Sequence, residues 1–432
     1  MTVIETSLRK ARDADTVRPG KAAVHVSGLA PWLLAGYVFL IPVQIAVGDS
    51  LRFAPSDLFV LGYIALRFPV LTVRRSTLLS WHAVFGVSLL VGMTVAALHD
   101  QLTLYAVLNK GVGAVVLFAA YLSIIDFCTD LPLVFWLTRA FLWGVLLNVL
   151  VALAALYAYN AGVANLTFIN FSGVRLAGFL VDPNAFGGLL VAAIALHFLP
   201  RVAGAPVLTG RAGQLMSLVL PIGLVMTYSR SAWIGGVAAI LVGAWRLGYR
   251  FLRPLLLFTA GIGVLAVVGA ALVFPNAGNL IDRPEQVDGR VTILQNAFND
   301  FSTSPVTGIG LGASIERNNI QIHNTTAFFI TELGPLGAVA LFGILVAYAM
   351  RADRLSRSRD RRRQALGVGL LAAHIGVYGV SMGIDAFYQR YWWMTFALIA
   401  ALTTHDADRS DRHTATASSL LLSRDPHKVV KP

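Results

Sequence analysis

The stretch LPLVFWLTRAFLWGVLLNVLVALAALYA, from Leu131 to Ala158, carries a single charge, Arg139. A helix crosses the hydrocarbon core of a bilayer with roughly 20 apolar residues, and this run exceeds that length. A strand of a transmembrane barrel would alternate apolar and polar positions, and the run does not. Working outward, similar apolar runs lie at 29–48, 56–73, 78–98, 104–125, 185–199, 212–229, 231–245, 254–274, 325–350, 365–384 and 390–404. The composition agrees. The 432 residues are 56% hydrophobic and 13% charged, and the mean hydropathy is +0.70. Soluble domains carry about 25% charged residues, so this chain could not clothe a soluble surface. The same numbers exclude intrinsic disorder. The expected fold class is an all-α integral membrane protein with about twelve transmembrane helices.

The net charge of +12 is better explained by topology than by nucleic acid. With the N-terminus cytoplasmic, inner segments collect most of the Lys and Arg, including Arg9, Lys10, Arg12, Arg74, Arg75, Arg201, Arg246 and the run from Arg351 to Arg363. Outer segments hold few: Arg52, Arg175, Arg230, Arg283, Arg290, Arg317 and Arg390. That asymmetry is the positive-inside pattern, and it puts both termini in the cytoplasm. Residues 1–28 are polar and basic without the apolar core of a secretory leader, and are expected to form a cytoplasmic arm. The expected organisation is that arm, a membrane domain over 29–404, and a mobile cytoplasmic tail over 405–432. The single cysteine, Cys128, can form no internal disulfide.

Two outer segments are long. One runs from about Tyr159 to Asn184. The other, the large loop between the ninth and tenth spans, covers 275–324. Loops of this length are usually functional or disordered. The second contains Val291, Leu294, Ala297, Phe298 and Phe301 at helical spacing, which predicts an amphipathic helix at the membrane surface. Glycines at 308, 310 and 312 then predict a tight turn.

On an outer face poor in basic residues, Arg175, Arg230 and Arg290 come from three segments and are candidates to converge. Guanidinium suits two-pronged recognition of phosphate, and the alternative for each is snorkelling to lipid headgroups. His323 stands where the long loop meets the tenth span, wet enough to exchange protons and close to the bilayer, which suits a general base. His99 has no such setting and is expected to be structural. Lys110, inside the fourth span, either snorkels outward or holds an anionic group in a cavity. Glu332 is expected to pair with a basic partner, Asp385 and Arg390 with each other, and Asp182 to cap a helix opening at Pro183. No paired carboxylates, His cluster or Cys set suggests a metal, and no phosphate-binding glycine loop suggests a nucleotide, so no cofactor is expected.

His323-Asn324, nine residues, Gly334, two residues, Gly337 resembles the His-Asn-x9-Gly-x2-Gly signature of the bacterial O-antigen ligase family. The loop from Arg175 to Pro183-Asn184, the pair Ser229-Arg230, and Arg290 followed by Pro305 and Gly308-x-Gly310 resemble the other family elements in the same order. The resemblance implies a GT-C-like membrane glycosyltransferase at the periplasmic face of the bacterial inner membrane. Its donor would be a glycan on undecaprenyl pyrophosphate and its acceptor the sugar of the lipid A core. His323, Arg290 and Arg175 would be catalytic, and Arg230, Asn184, Asn324 and Lys110 substrate-binding. Polymerases that share the domain extend one lipid-linked glycan onto another and are the alternative. A lipid-linked-sugar flippase, from a different class, would be expected to carry charge through the midplane and to need no outer histidine. The sequence does not fix the oligomeric state.

Overall fold

We describe the chain from a computed structural model, over residues 28–47, 51–68, 77–163, 175–180, 182–248, 284–318 and 321–403. The expected ninth span, the N-terminal arm, the C-terminal tail and Arg283 lie outside the described residues.

In chain order the elements are α1 (Ala30–Leu40), a hairpin of β1 (Ile45–Val47) and β2 (Leu51–Phe53), α2 (Ser56–Arg67), α3 (Thr77–Leu98), a π-helical stretch (Ala106–Val112) continuing into α4 (Gly113–Phe127), and α5 (Leu131–Asn160). There follow α6 (Pro183–Val202), α7 (Gly210–Met226), α8 (Arg230–Leu247), α9 (Pro284–Thr303), α10 (Ala313–Asn318), α11 (Thr325–Leu355) and α12 (Arg361–Ser381). A last helix, α13, covers 390–403. Among the described residues six helices are long and apolar enough to cross a membrane: those over Leu78–Leu98, Ala106–Phe127, Leu131–Tyr159, Pro183–Val202, Thr325–Leu355 and Arg361–Ser381. The chain is a multi-pass membrane protein.

Helix starts follow capping chemistry. Asp130 accepts from the Leu133 N–H at 3.0 Å and opens α5. Asp182 accepts from Asn184 at 2.8 Å and opens α6, as expected. Ser229 accepts from Ala232 at 3.3 Å and opens α8. Each satisfies an N–H that the helix itself leaves unpaired.

The first expected span, 29–48, needs correction. Its helix ends at Leu40, and the chain turns into a short antiparallel hairpin in which Ala46 pairs with Arg52. Pro42 cannot donate to a continuing helix. The Gln44 N–H instead donates to the Phe179 carbonyl at 2.9 Å. Eleven residues of helix rise only about 16 Å, well short of the roughly 30 Å hydrocarbon core.

The centre of the bundle is α6, α8 and α12, held together by small residues. A Cβ on Gly379 would stand 3.0 Å from the Gly235 Cα, and one on Gly376 2.9 Å from the Gly235 carbonyl oxygen. Membrane helices associate through such close backbone approach because lipid offers no hydrophobic penalty to drive them together. α13 packs Tyr391, Trp392, Trp393 and Phe396 into this centre. The Trp392 indole N–H donates to His374 Nδ1 at 3.0 Å, and His374 Nε2 lies 2.9 Å from the Leu345 carbonyl. Those partners assign the proton to Nε2 and tie α11, α12 and α13 at one point. Outward faces keep large apolar side chains exposed, among them Leu90 on α3, Leu241 on α8 and Val346 on α11, as a lipid-facing surface requires.

The amphipathic helix expected in the long loop is α9. Ala297 faces inward, and its carbonyl accepts from Thr331 Oγ1 at 3.1 Å. Val291, Leu294 and Phe298 remain exposed.

Candidate active site

The motif glycines build a break in a helix. Within α11, Gly334 has φ 64° and ψ −161°, and Pro335 follows it. A side chain at that conformation would be strained. Into the gap runs the turn that carries Gly308, Gly310 and Gly312. The Ile309 N–H donates to the Thr331 carbonyl at 2.9 Å and the Gly310 N–H to the Glu332 carbonyl at 3.1 Å. A Cβ on Gly308 would stand 2.6 Å from the Gly334 nitrogen, so two backbones touch here. On the other side the Leu311 N–H donates to the Gly92 carbonyl of α3 at 2.9 Å. Glu332, expected to pair with a cation, instead accepts from the Gly312 N–H at 2.6 Å. This clasp fixes the first turns of α11, and with them the position of His323.

Asn324 is the N-cap of α11. Its Oδ1 accepts from the Ala327 N–H at 2.9 Å and its Nδ2 donates to the Met382 carbonyl at 3.0 Å. Both ends of the amide are therefore engaged within the protein, and the side chain joins α11 to the turn after α12. His323, one residue earlier, is exposed. It lines a polar cavity of about 340 Å³ together with Asp182, Lys110, Asp385, Asp57 and Arg390. Its pKa is lowered from the ordinary imidazole value, first because the cavity walls strip its hydration. Arg290 and Lys110 push the same way, and Asp182 and Asp385 oppose them. The ring is therefore neutral at pH 7 and able to accept a proton.

The three arginines are not equivalent. Arg175 is buried; its Nε donates to the Thr227 carbonyl at 2.9 Å and its Nη2 to Asn184 Oδ1 at 3.1 Å. It links the segment before α6 to the end of α7, and Asn184 is its partner. Neither residue lines the cavity that His323 faces. Arg230 is the first residue of α8. Arg290, on α9, is half-buried, and its pKa is lowered by burial and by the Arg230 charge, with Asp182 partly offsetting both. Among the described residues neither Arg230 nor Arg290 forms an ion pair. Two repelling guanidiniums held near each other, one of them partly desolvated, are arranged to receive an anion.

Arg290 reaches this position over Gly383. A Cβ there would stand 2.6 Å from Ser231 Cβ and 3.2 Å from Arg290 Nη1. Sequence reasoning passed over Gly383, although a glycine between two spans on the outer side was a usable signal.

Lys110 does not snorkel. It is 4% exposed, forms an ion pair with Asp385, and lies 4.2 Å from the Tyr388 ring centroid and 4.6 Å from that of Phe328. The π-helical stretch that carries it is a distortion frequent at functional sites. Asp385 and Arg390 do not pair with each other, as had been expected. Asp385 takes Lys110, while Arg390 reaches Asp57 of α2 through Nε at 2.8 Å and Nη2 at 2.5 Å. Geometry explains the exchange. Asp385 and Arg390 stand at the two ends of a turn, and each faces a different neighbouring helix. Arg317 lies apart, on α10, 3.8 Å from Asp300. His99 Nδ1 lies 2.8 Å from the Val95 carbonyl and has a local structural role.

Fold and site together define a polytopic membrane protein in which the Arg290 charge is coupled both to Arg230 and to His323, and His323 opens onto a polar cavity. Residues 215–342 match the O-antigen ligase family, a match that supports placing this segment in the O-antigen ligase superfamily. The match spans Arg230, Arg290 and the whole stretch from His323 to Gly337, and leaves out Arg175, Asn184, Lys110 and Asp385. It supports a ligase- or polymerase-type role with a lipid-linked glycan donor and a glycan acceptor. No curated protein matches the chain.

Proposed function

We propose that this protein transfers a glycan from undecaprenyl pyrophosphate to the sugar of the lipid A core, at the periplasmic face of the inner membrane and without a metal. The observation that carries the reading is His323, an imidazole that opens onto a polar cavity and is acted on by the charges of Asp182, Arg290, Asp385 and Lys110. In the proposed reaction an acceptor hydroxyl attacks the anomeric carbon of the donor. The bond between that carbon and the pyrophosphate oxygen breaks, and its electron pair leaves with the pyrophosphate. His323 takes the hydroxyl proton. Arg290 and Arg230 bind the pyrophosphate and stabilise the charge that grows on it, and fixed cations can do this in a water-poor site at little reorganisation cost. Attack opposite the leaving group inverts the anomeric centre. Arg175 and Asn184 act by holding the ends of α6 and α7 that frame this arginine pair.

The test is reconstitution. Purified protein, a lipid-linked glycan and a lipid A-core acceptor should yield the ligated product by mass. A product that grows only when a second lipid-linked glycan is supplied would instead identify a polymerase.

A further inference from the structure

α8 and α11 both pack on α12. Near the His323 end, α8 and α12 meet backbone to backbone at Gly235 and Gly379. Ten residues further along α8, a rise of roughly 15 Å, a groove of about 470 Å³ lies between α8 and α11. Val242, Ala349, Leu371 and Ile375 form its apolar floor, and Trp245 and Met350, both exposed, form its walls. It turns polar at the rim, at Asp353 and Arg354. Exposed apolar stripes lead to it on both helices: Ile234, Val237, Leu241 and Trp245 on α8, and Phe342, Val346 and Met350 on α11. Their spacing of three and four residues keeps each stripe on one helix face. Arg354 and Arg357 continue the α11 stripe, and Arg246 follows the α8 stripe. An exposed tryptophan next to arginine is typical of a membrane–water interface, and the positive-inside pattern puts this end of the bundle at the cytoplasmic leaflet.

The rim carries more cation than it can match. Asp353 pairs with both Arg246 and Arg357, the latter at 2.9 Å. Arg354 is exposed and forms no ion pair among the described residues. The next carboxylate, Asp360, is engaged as the cap of α12, accepting from the Arg363 N–H at 2.9 Å. Three guanidiniums therefore share one carboxylate. Arg246 is also held against the Trp245 ring, its Cζ 3.9 Å from the centroid. An apolar groove that ends in surplus positive charge at a membrane surface is complementary to a molecule with an acyl chain and an anionic head. A zwitterionic lipid would bring an ammonium against unmatched arginine, and a soluble anion would leave the apolar floor uncovered.

We infer that the groove between α8, α11 and α12 binds an anionic phospholipid of the cytoplasmic leaflet, with an acyl chain along Val242, Ala349 and Ile375 and the phosphate on Arg354 and Arg357. Basic pockets between transmembrane helices on the cytoplasmic side are suited to acidic headgroups. The site lies at the opposite end of α11 from His323 and is independent of the proposed glycosyl transfer.

Native mass spectrometry of the purified full-length protein, titrated with palmitoyl-oleoyl phosphatidylglycerol or the matching phosphatidylcholine, reads binding directly. Phosphatidylglycerol should be retained saturably and in preference to phosphatidylcholine, and excess inorganic phosphate should not displace it. Arg354→Gln should weaken its retention about fivefold, and Arg354→Gln with Arg357→Gln about thirtyfold. Asp353 keeps Arg246 in both variants, so α8 and α11 stay tied. Ala349→Phe fills the floor of the groove and keeps the arginines, and it should weaken retention about tenfold. Arg317→Gln, the same loss of charge at the other end of the molecule, should retain the lipid as wild type does. Equal retention of the two lipids would mark ordinary boundary lipid and overturn the inference. Arginine variants that bind like wild type would overturn it, as would an Arg317→Gln variant that loses as much as Arg354→Gln. Unchanged binding by Ala349→Phe, or displacement by inorganic phosphate, would reduce the site to a charged surface and also overturn it. A dimer that Ala349→Phe abolishes, with no phosphatidylglycerol retained, would give the groove to a second copy of the chain instead.

Discussion

Arg175 donates to the Thr227 carbonyl at 2.9 Å and thereby joins the segment before α6 to the end of α7. Arg290, by contrast, forms no ion pair among the described residues. A lysine at either position keeps the charge but loses the planar fork. Arg175→Lys should therefore melt at a lower temperature as well as lose activity, because hydrogen bonds from a charged donor are worth about 1.5–3 kcal/mol. Arg290→Lys should keep the wild-type melting temperature and lose most of its activity. Paired thermal melts and transfer assays check this. Equal melting losses in both would place Arg290 in the framework rather than against the substrate.

Partial desolvation by the cavity walls, with Arg290 and Lys110, lowers the His323 pKa below its ordinary value of 6.5. A base works when it is unprotonated. The rate at saturation should therefore rise with pH through a midpoint below 6.5 and be flat across neutrality. Asp182 opposes the lowering because its charge favours the imidazolium. Asp182→Asn should move the acid limb to still lower pH while the asparagine continues to cap α6. A limb that moves to higher pH, or does not move, would detach His323 from the profile.

Two glycines should be intolerant for different reasons. Gly334→Ala places a side chain at φ 64° and ψ −161°, against the Gly308 nitrogen at 2.7 Å. It should cost about 1–3 kcal/mol of stability. Gly383→Ala lies in an ordinary conformation but puts a methyl group 3.2 Å from Arg290 Nη1 and 2.6 Å from Ser231 Cβ. It should lower activity and also cost some stability, because Ser231 Cβ must move to admit the methyl group. A Gly383→Ala enzyme as active as wild type would show that Arg290 does not need its position over this turn.

Much of the helical layout was legible because apolar runs and caps are local. Asp182 announced the helix it opens, and Val291, Leu294 and Ala297 announced α9. Pro42 could have warned that the first span stops early. The site was legible in its residues but not in its pairings. Lys110 and Asp385 are 275 residues apart, and Arg390 and Asp57 are 333 apart. No local pattern reports such partners, so the sequence suggested the nearer pairing of Asp385 with Arg390. The π-helical turn around Lys110 also leaves no periodic trace in an apolar run. The glycine signature showed as spacing, and its meaning emerged only where Gly308 and Gly334 touch across the broken helix.

Orientation has a direct check. Ser302 is exposed on α9, and Ser358 lies in the turn between α11 and α12. In a cysteine-free background, Ser302→Cys should react with a membrane-impermeant maleimide in intact cells, and Ser358→Cys only after the membrane is opened. Ser314 is 2% exposed and would not serve. Labelling of Ser358→Cys from outside would reverse the topology and move the site to the cytoplasm.

The central claim is that His323 accepts the acceptor's proton. The measurement is the transfer rate of His323→Ala at saturating donor and acceptor, beside wild type. A positioned base is typically worth about 10²–10⁴-fold, so the saturated rate should fall by at least about a hundredfold while donor binding persists. His323→Gln, which keeps hydrogen bonding without the same basicity, should fall similarly. A residue that only binds the acceptor would raise its KM and leave the saturated rate intact. Recovery of the full rate by His323→Ala at high acceptor concentration would contradict the account and leave the arginines as the only groups assigned to the chemistry.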